Sequence, residues 1–200
     1  VNQITREKAK AFIVSSAASS DLTGKACSPN TVHWTYDTWA LANGTGNAIV
    51  KTGGDSWFFI TADYAFGHAL ERDTENVVLK SGGKVLGKVR APLNTQDFSS
   101  FLLQAQSSKA KIIGLANAGG DTINSIKQAS EFGITAGGQQ LAALLLFISD
   151  VHGLGLDVAQ GLNFTETFYW DLNDGTRAFS KRFSERMKNK AMPSMIQAGV

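Results

Sequence analysis

Cysteine is almost absent from this sequence, since Cys27 is the only one among 200 residues. A single cysteine excludes an internal disulfide, which fits a cytosolic protein or an exported one that needs no disulfide. Long apolar runs are also missing, so no segment reaches the roughly 18 residues that a transmembrane helix requires. The longest apolar stretch, Leu141 to Ile148, has the length of a strand.

An excess of one charge is lacking as well, because 19 Lys and Arg face 17 Asp and Glu, for a net charge of +2. This balance gives no reason to expect a nucleic-acid partner. The phosphate-loop patterns G-x-G-x-x-G and G-x-x-x-x-G-K-[ST] and the nucleophile elbow G-x-S-x-G are missing. His33, His68 and His152 have no metal-ligand spacing among themselves or with Cys27. We therefore expect no catalytic residues, no metal and no cofactor.

Hydrophobic residues are abundant, at 43% of the chain against 18% charged residues, and there are 20 glycines. This composition favours a folded core with many tight turns, in one domain or in one large lobe with part of another. Residues 1–10 have the pattern of the second half of a helix, and residues 193–200 begin a new segment and stop. We therefore expect an internal fragment or a processed form, and no signal peptide is recognisable in this chain.

The most informative pattern is a short apolar strand that ends in a loop of small residues, after which a helix begins. It occurs four times, at residues 12–21, 57–67, 111–121 and 144–150. Strands and helices alternate from residue 56 to 150, which predicts an α/β fold with a parallel sheet flanked by helices. Ligands of such sheets bind at the carboxyl ends of the strands, where helix N-termini converge, so we expect a binding cleft there.

Periodicity and turn residues give provisional bounds for the other elements. The predicted helices are 37–52 (distorted near Asn43-Gly44-Thr45-Gly46), 66–79, one opening at Asp97, 121–132, a short one at 154–159, and 176–188. The predicted strands are 57–61, 85–89, 111–115, 141–148 and 162–169.

The serine-rich loop after the first strand is a candidate carboxylate site. Ser16, Ser19 and Ser20 offer hydroxyls, and the backbone N–H groups around Ala17 are free if a helix or turn starts at Asp21. Hydroxyls and free N–H groups together suit a carboxylate. The alternative is a solvated loop that only caps a helix.

Two other loops carry polar candidates. The loop from Asn117 and Ala118 to Asp121 contains two glycines, which let a ligand approach the backbone closely. Asp121 has the alternative role of a plain N-cap. Asp150 follows an apolar strand and could pair with a ligand amino group or with a lobe-closing arginine, and its alternative is a surface turn.

Aromatic residues also cluster near the predicted loops, at Tyr64, Phe66, Phe147 and residues 168–170. Most are expected in the core, while one or two could stack on a ligand. The basic run over residues 177–190 lies on a predicted helix and indicates a solvated face.

Four motifs together resemble those of one family. They are the small-residue loop before Leu-Thr at residues 14–23, the aspartate-aromatic-glycine segment at 63–67, the T-x-D-F-[ST] helix entry at 95–99, and the Q-A-x-x-x-G-[LI] helix end at 128–134. In this order and spacing they resemble the leucine/isoleucine/valine-type solute-binding proteins of ABC transporters, which have the type I periplasmic-binding fold.

The resemblance implies two α/β lobes with a solute in the cleft between them. Residues 1–35 would end a first-lobe segment, residues 36–168 would form a nearly complete second lobe, and residues 169–200 would return toward the first lobe. It further implies a periplasmic, non-enzymatic protein that captures a small-molecule solute by hinge closure and docks on a membrane permease.

The resemblance also carries site residues over by position. The family's carboxylate-binding loop matches Ala17 and Ser19, with Ser16 and Ser20 beside them. The family's tyrosine before a glycine matches Phe66, so one hydroxyl contact is lost, and Tyr64 could replace it.

In the second lobe, the family's loop aromatic falls near Asn117 and Ala118. The family's acid for the ligand ammonium falls near Phe147 to Asp150, where no acid matches and Asp150 is the nearest. This departure favours a carboxylate without an amino group, such as an aromatic acid, over a branched-chain amino acid. Two alternatives stay open: a ligand-sensing domain of a regulator or receptor with this fold, and an enzyme on a flavodoxin-like domain.

Overall fold

A computed structural model of the protein describes residues 1–188 and 191–199. Its helices there are α1 (Asn2–Glu7), α2 (Thr38–Leu41), α3 (Asn47–Lys51), α4 (Ala65–Lys80), α5 (Ser99–Ser107), α6 (Gly120–Glu131), α7 (Ile148–Leu154), α8 (Leu156–Ala159), α9 (Asp174–Arg186) and α10 (Met195–Gly199). The strands are β1 (Phe12–Val14), β2 (Thr31–His33), β3 (Ser56–Ala62), β4 (Lys84–Ala91), β5 (Ile112–Ala116) and β6 (Gln140–Ala143). None of the helices in this part of the chain is long and apolar enough to cross a membrane. The basic run ends at Lys190, which lies outside the described residues.

Two parallel sheets organise the chain. The larger has the strand order β4-β3-β5-β6, and the smaller pairs β1 with β2. Every pairing within them is parallel. The prediction of an α/β fold with parallel sheets flanked by helices is confirmed.

The continuous apolar run of β3 is explained by burial on both faces, as in a central parallel strand. Trp57 and Phe59 pack in one core cluster, together with side chains of α4 and of the 38–51 helix. Phe58 and Ile60 alternate with them and pack in a second cluster with α5 and α6. The two clusters hold the larger sheet between two helical layers.

The helix predicted over 37–52 is continuous but changes pitch, as expected. Asp37 caps α2, because its Oδ1 accepts the Ala40 N–H at 2.8 Å. A π-helical segment over Ala42–Gly46 then joins α2 to α3. Gly44 is required inside it, since a Cβ there would stand 2.3 Å from Oγ1 of Thr165.

The strand predicted over 141–148 is confirmed only in its first residues, as part of β6, and the strand predicted over 162–169 is wrong. The apolar run from residue 141 pairs only as far as Ala143, and Leu144, Leu145 and Leu146 are buried beyond the end of the strand. The Leu144 N–H still donates to the Leu115 carbonyl of β5 at 3.3 Å, whereas Leu145 and Leu146 fill the core without pairing. The hydrophobicity of these last two residues therefore does not report a strand. Residues 162–169 form no strand, and a single bridge joins Asn163 to Ala142. β2 and α10 were not predicted.

Candidate ligand-binding site

A cavity of about 640 Å³ opens between the two sheets, at the carboxyl ends of β1, β3, β5 and β6. Its lining is Ser16, Ala17, Ala18, Ser19, Asp21, Leu22, Ala26, Tyr36, Tyr64, Ala65, Phe66, Ala118, Leu145, Phe147 and Ile196. The volume suits a small molecule. The cavity therefore lies at the edge where the sequence predicts a cleft.

Four aromatic rings form much of the wall. Tyr36 contacts Phe147 edge-on, with ring centroids 6.0 Å apart, and Tyr64 lies against Phe66 at 5.8 Å. Tyr64 precedes α4, and Phe147 precedes α7, so the start of each helix carries a ring into the cavity. Rings in such offset arrangements offer faces and edges on which a planar apolar group can stack.

The serine loop supplies polar groups on another side. A 3-10 turn over Ser20–Leu22 is capped by Ser19, whose Oγ accepts the Asp21 N–H at 3.3 Å. Within the described part of the chain, the N–H groups of Ser16 to Ser19 have no acceptor. These residues line the cavity, so their unpaired N–H groups are the candidate donors for an anion there.

Both tyrosines stay protonated at neutral pH. Burial, with a smaller contribution from Tyr64, raises the pKa of Tyr36 to about 12. Burial and then the charge of Asp121 raise the pKa of Tyr64. The Tyr36 O–H reaches the Ser16 carbonyl at 3.4 Å. The Tyr64 phenol can therefore donate a hydrogen bond to a ligand, whereas the single O–H of Tyr36 is directed at the Ser16 carbonyl.

The cavity has one charged lining residue, and this residue is already paired. The Asp21 carboxylate accepts from Arg72 Nη1 at 2.9 Å and lies 3.1 Å from Lys25 Nζ. No other acidic side chain lines the cavity in the described residues. A ligand ammonium group would therefore find no free carboxylate on this wall.

Seven of the eleven predicted site residues come together around the cavity. They are Ser16, Ala17, Ser19, Tyr64, Phe66, Ala118 and Phe147. The lining residues that the sequence did not predict include Tyr36, Leu145 and Ile196. Tyr36 directly precedes the capping residue Asp37, so its place before a helix start was the available signal.

Ser20 and Asn117 do not line the cavity. The Ser20 hydroxyl donates to Asp73 Oδ2 at 2.6 Å and faces α4. Asn117 is buried, where its Nδ2 donates to Ser125 Oγ at 3.1 Å and its Oδ1 accepts from Thr122 at 2.8 Å. Asn117 thus fixes the first turns of α6 behind Ala118.

Asp121 and Asp150 also lie outside the lining. Asp121 is buried and accepts the Asn94 N–H at 3.2 Å. Asp150 caps α7, since its Oδ2 accepts the Phe147 N–H at 2.9 Å. Asp150 is thus neither a ligand acid nor part of a surface turn, and it holds the start of α7 next to a ring of the cavity. The N-cap of α6 is Gly119, so the alternative role of Asp121 as an N-cap is wrong.

A second acid, Glu166, holds the backbone next to Phe147. Its Oε1 accepts the Ile148 N–H at 3.1 Å. Burial raises the pKa of Glu166 to about 7, and the nearby charge of Asp150 adds a smaller increase. The hydrogen bond from Ile148 acts in the opposite direction and lowers this pKa. Burial likewise raises the pKa of Asp150.

We expect the free energy of unfolding to fall as the pH rises from about 4.5 to about 7. In this window the folded protein holds a proton on Glu166 that the unfolded chain has released. The Glu166→Gln variant keeps a neutral acceptor and should flatten the decline, while the exposed Glu131→Gln should not. Urea unfolding at several pH values measures this, and equal slopes for the parent and Glu166→Gln would contradict it.

The fold is that of an α/β protein with parallel sheets, and the cavity between its two sheets is the candidate ligand site. The sequence matches the family described as periplasmic binding protein over residues 1–200, and the chain belongs to that family. No group of three or more metal-binding side chains occurs in residues 1–188 and 191–199.

Known relatives agree with this membership. A periplasmic binding protein from Burkholderia mallei is 58% identical, with a TM-score of 0.94, over 99% of this chain and 52% of its own. A branched chain amino acid ABC transporter periplasmic ligand-binding protein from Burkholderia xenovorans LB400 is 34% identical, with a TM-score of 0.86, over 99% of this chain and 52% of its own. The Leu/Ile/Val-binding protein homolog 6 of Brucella melitensis is 25% identical over 98% of this chain and 50% of its own length.

More distant structures share the fold alone. One is a solute-binding protein of an ABC transporter from R. palustris in complex with benzoate, 21% identical with a TM-score of 0.83, over 99% of this chain and 54% of its own. The chain spans about half the length of the relatives it matches.

Proposed function

We propose that this protein is the solute-binding component of an ABC importer and captures a small carboxylate with an aromatic or apolar body. The observation that carries the proposal is the cavity itself. It combines four aromatic rings, a loop with free N–H groups, and no unpaired acid. This combination complements an aromatic carboxylate better than an amino acid, whose ammonium group would lose its hydration without gaining a partner.

Capture would proceed by closure of two lobes around the solute. We assign residues 1–35 and 169–200 to one lobe and residues 36–168 to the other. The cavity wall supports this, because it combines the loop after β1 with the strand ends of the larger sheet. A solute that contacts both walls favours the closed state by its differential affinity. The closed protein would then dock on the membrane permease outside the cytoplasm, without covalent chemistry.

We expect benzoate to raise the melting temperature, and its neutral analogue benzamide and leucine to leave it nearly unchanged. A ligand at a hundredfold excess over its Kd stabilises by about 2.7 kcal/mol. Differential scanning fluorimetry with the three compounds at equal concentration measures this. Benzamide has the shape of benzoate, so the difference between them reports the carboxylate.

Stabilisation by leucine alone would replace the aromatic acid with an amino acid as the solute class. Equal stabilisation by benzoate and benzamide would show that the carboxylate is not recognised. Stabilisation by none of the three would contradict the proposed solute class.

A further inference from the structure

A cluster of charged and hydroxyl side chains ties the serine loop to α4, and we call Ser20, Asp21, Arg72 and Asp73 the clasp. Arg72 Nη1 donates to Asp21 Oδ1 at 2.9 Å, and its Nη2 donates to Ser20 Oγ at 2.9 Å. The same guanidinium donates to Asp73 Oδ1 through Nε at 3.0 Å and Nη2 at 2.8 Å. One planar group therefore joins three side chains at once.

Asp73 joins the serine loop to Thr38 on α2. Its Oδ2 accepts from Ser20 Oγ at 2.6 Å and from Thr38 Oγ1 at 2.6 Å, and its side chain is only 11% exposed. Thr38 in turn contacts the loop backbone, since its Oγ1 accepts the Ser20 N–H at 2.9 Å and its N–H donates to the Ala18 carbonyl at 2.7 Å. Both oxygens of a mostly buried carboxylate are thus satisfied, which makes this position geometrically specific.

The clasp lies beside the cavity and reaches it only at Asp21. Asp21 lines the cavity, but neither Arg72 nor Asp73 does. The clasp engages the loop through the side chains of Ser20 and Asp21, and Thr38 contacts the Ser20 N–H and the Ala18 carbonyl. The N–H groups of residues 16–19 therefore stay unpaired. The clasp thus fixes the path of the loop while its anion-binding groups stay available.

We propose that Arg72 and Asp73 are positioning residues for solute binding. They hold residues 15–22 against α4, so that the free N–H groups converge on the solute carboxylate. This inference rests on the proposed function, because it takes that loop to be the carboxylate site. A substitution of Arg72 or Asp73, neither of which lines the cavity, should therefore weaken solute binding because it loosens residues 15–22.

The test compares Arg72→Gln with Arg177→Gln, since Arg177 makes a similar double ion pair on α9, with Asp171 at 2.9 Å and Asp174 at 2.7 Å. Calorimetry with benzoate should show a Kd about ten-fold higher for Arg72→Gln and an unchanged Kd for Arg177→Gln. Arg72→Lys keeps the positive charge but loses the planar guanidinium, and its Kd for benzoate should lie between those of the other two variants. Amide hydrogen exchange should accelerate at residues 20–22, whose N–H groups are hydrogen-bonded, for Arg72→Gln alone.

Unchanged exchange at residues 20–22 would overturn the inference, whatever happens to affinity. Faster exchange with an unchanged Kd would also overturn it, because the loop would then not need fixing. If the unmodified protein does not bind benzoate, the proposed solute class fails. The exchange comparison then still decides whether the clasp positions the loop.

Discussion

Gly67→Ala should unfold or severely destabilise the protein. Gly67 lies in the first turn of α4, where a Cβ would stand 2.1 Å from the carbonyl oxygen of Ala62 and 3.1 Å from that of Ala116. Both atoms are backbone at the ends of β3 and β5, so they cannot rotate away as a side chain could. The helix must move off the sheet, and we expect a loss of about 3 kcal/mol or more in the free energy of unfolding.

Gly120→Ala is the matched control, because Gly120 also lies in a first helical turn after a strand. A Cβ at Gly120 has no atom within 4 Å, and its φ is not positive. Alanine there should be neutral or stabilise by up to about 1 kcal/mol, because it reduces backbone freedom in the unfolded chain. Urea unfolding of both variants measures the difference. Equal stabilities would show that α4 does not depend on close contact at Gly67.

The α/β architecture could be predicted because its signals are local. Alternating strands and helices appear in the sequence as apolar runs that end in small residues, and β3, β5, α4 and α6 occupy nearly the predicted ranges. The end of β6 could not be predicted in this way. Leu144 to Leu146 continue the apolar run beyond Ala143, the last residue of β6, and of these three only Leu144 keeps a backbone hydrogen bond to β5.

Site residues that follow the strands could be predicted from the sequence. Site residues whose role depends on contacts with distant parts of the chain could not. Ala17 and Phe66 follow strands, and the topology places the ends of those strands together. Ser20 looked equivalent to Ser19, but its hydroxyl is taken by Asp73, which is 53 residues away in the chain. Ile196 reaches the cavity from α10, and no local pattern connects that segment with the serine loop.

We expect a negative charge on the cavity wall at residue 118 to abolish most of the affinity for an aromatic carboxylate. Ala118 lines the cavity, is half-buried, and directly precedes the α6 N-cap, so a small polar side chain fits there without displacing the core. Ala118→Asp and Ala118→Asn differ by one charge and almost nothing in shape. At a separation of about 8 Å and an effective dielectric constant of about 20, two like charges repel by about 2 kcal/mol.

This energy corresponds to a Kd for benzoate that is about 30-fold higher for Ala118→Asp than for Ala118→Asn. Calorimetry measures both constants, and thermal unfolding without ligand shows that the two variants are equally folded. Benzamide is the control ligand, since it has no charge for the aspartate to repel. If the two variants bind benzoate equally well, the carboxylate does not bind in this cavity. A tighter complex of Ala118→Asp with leucine would instead point to a site that recognises an ammonium group.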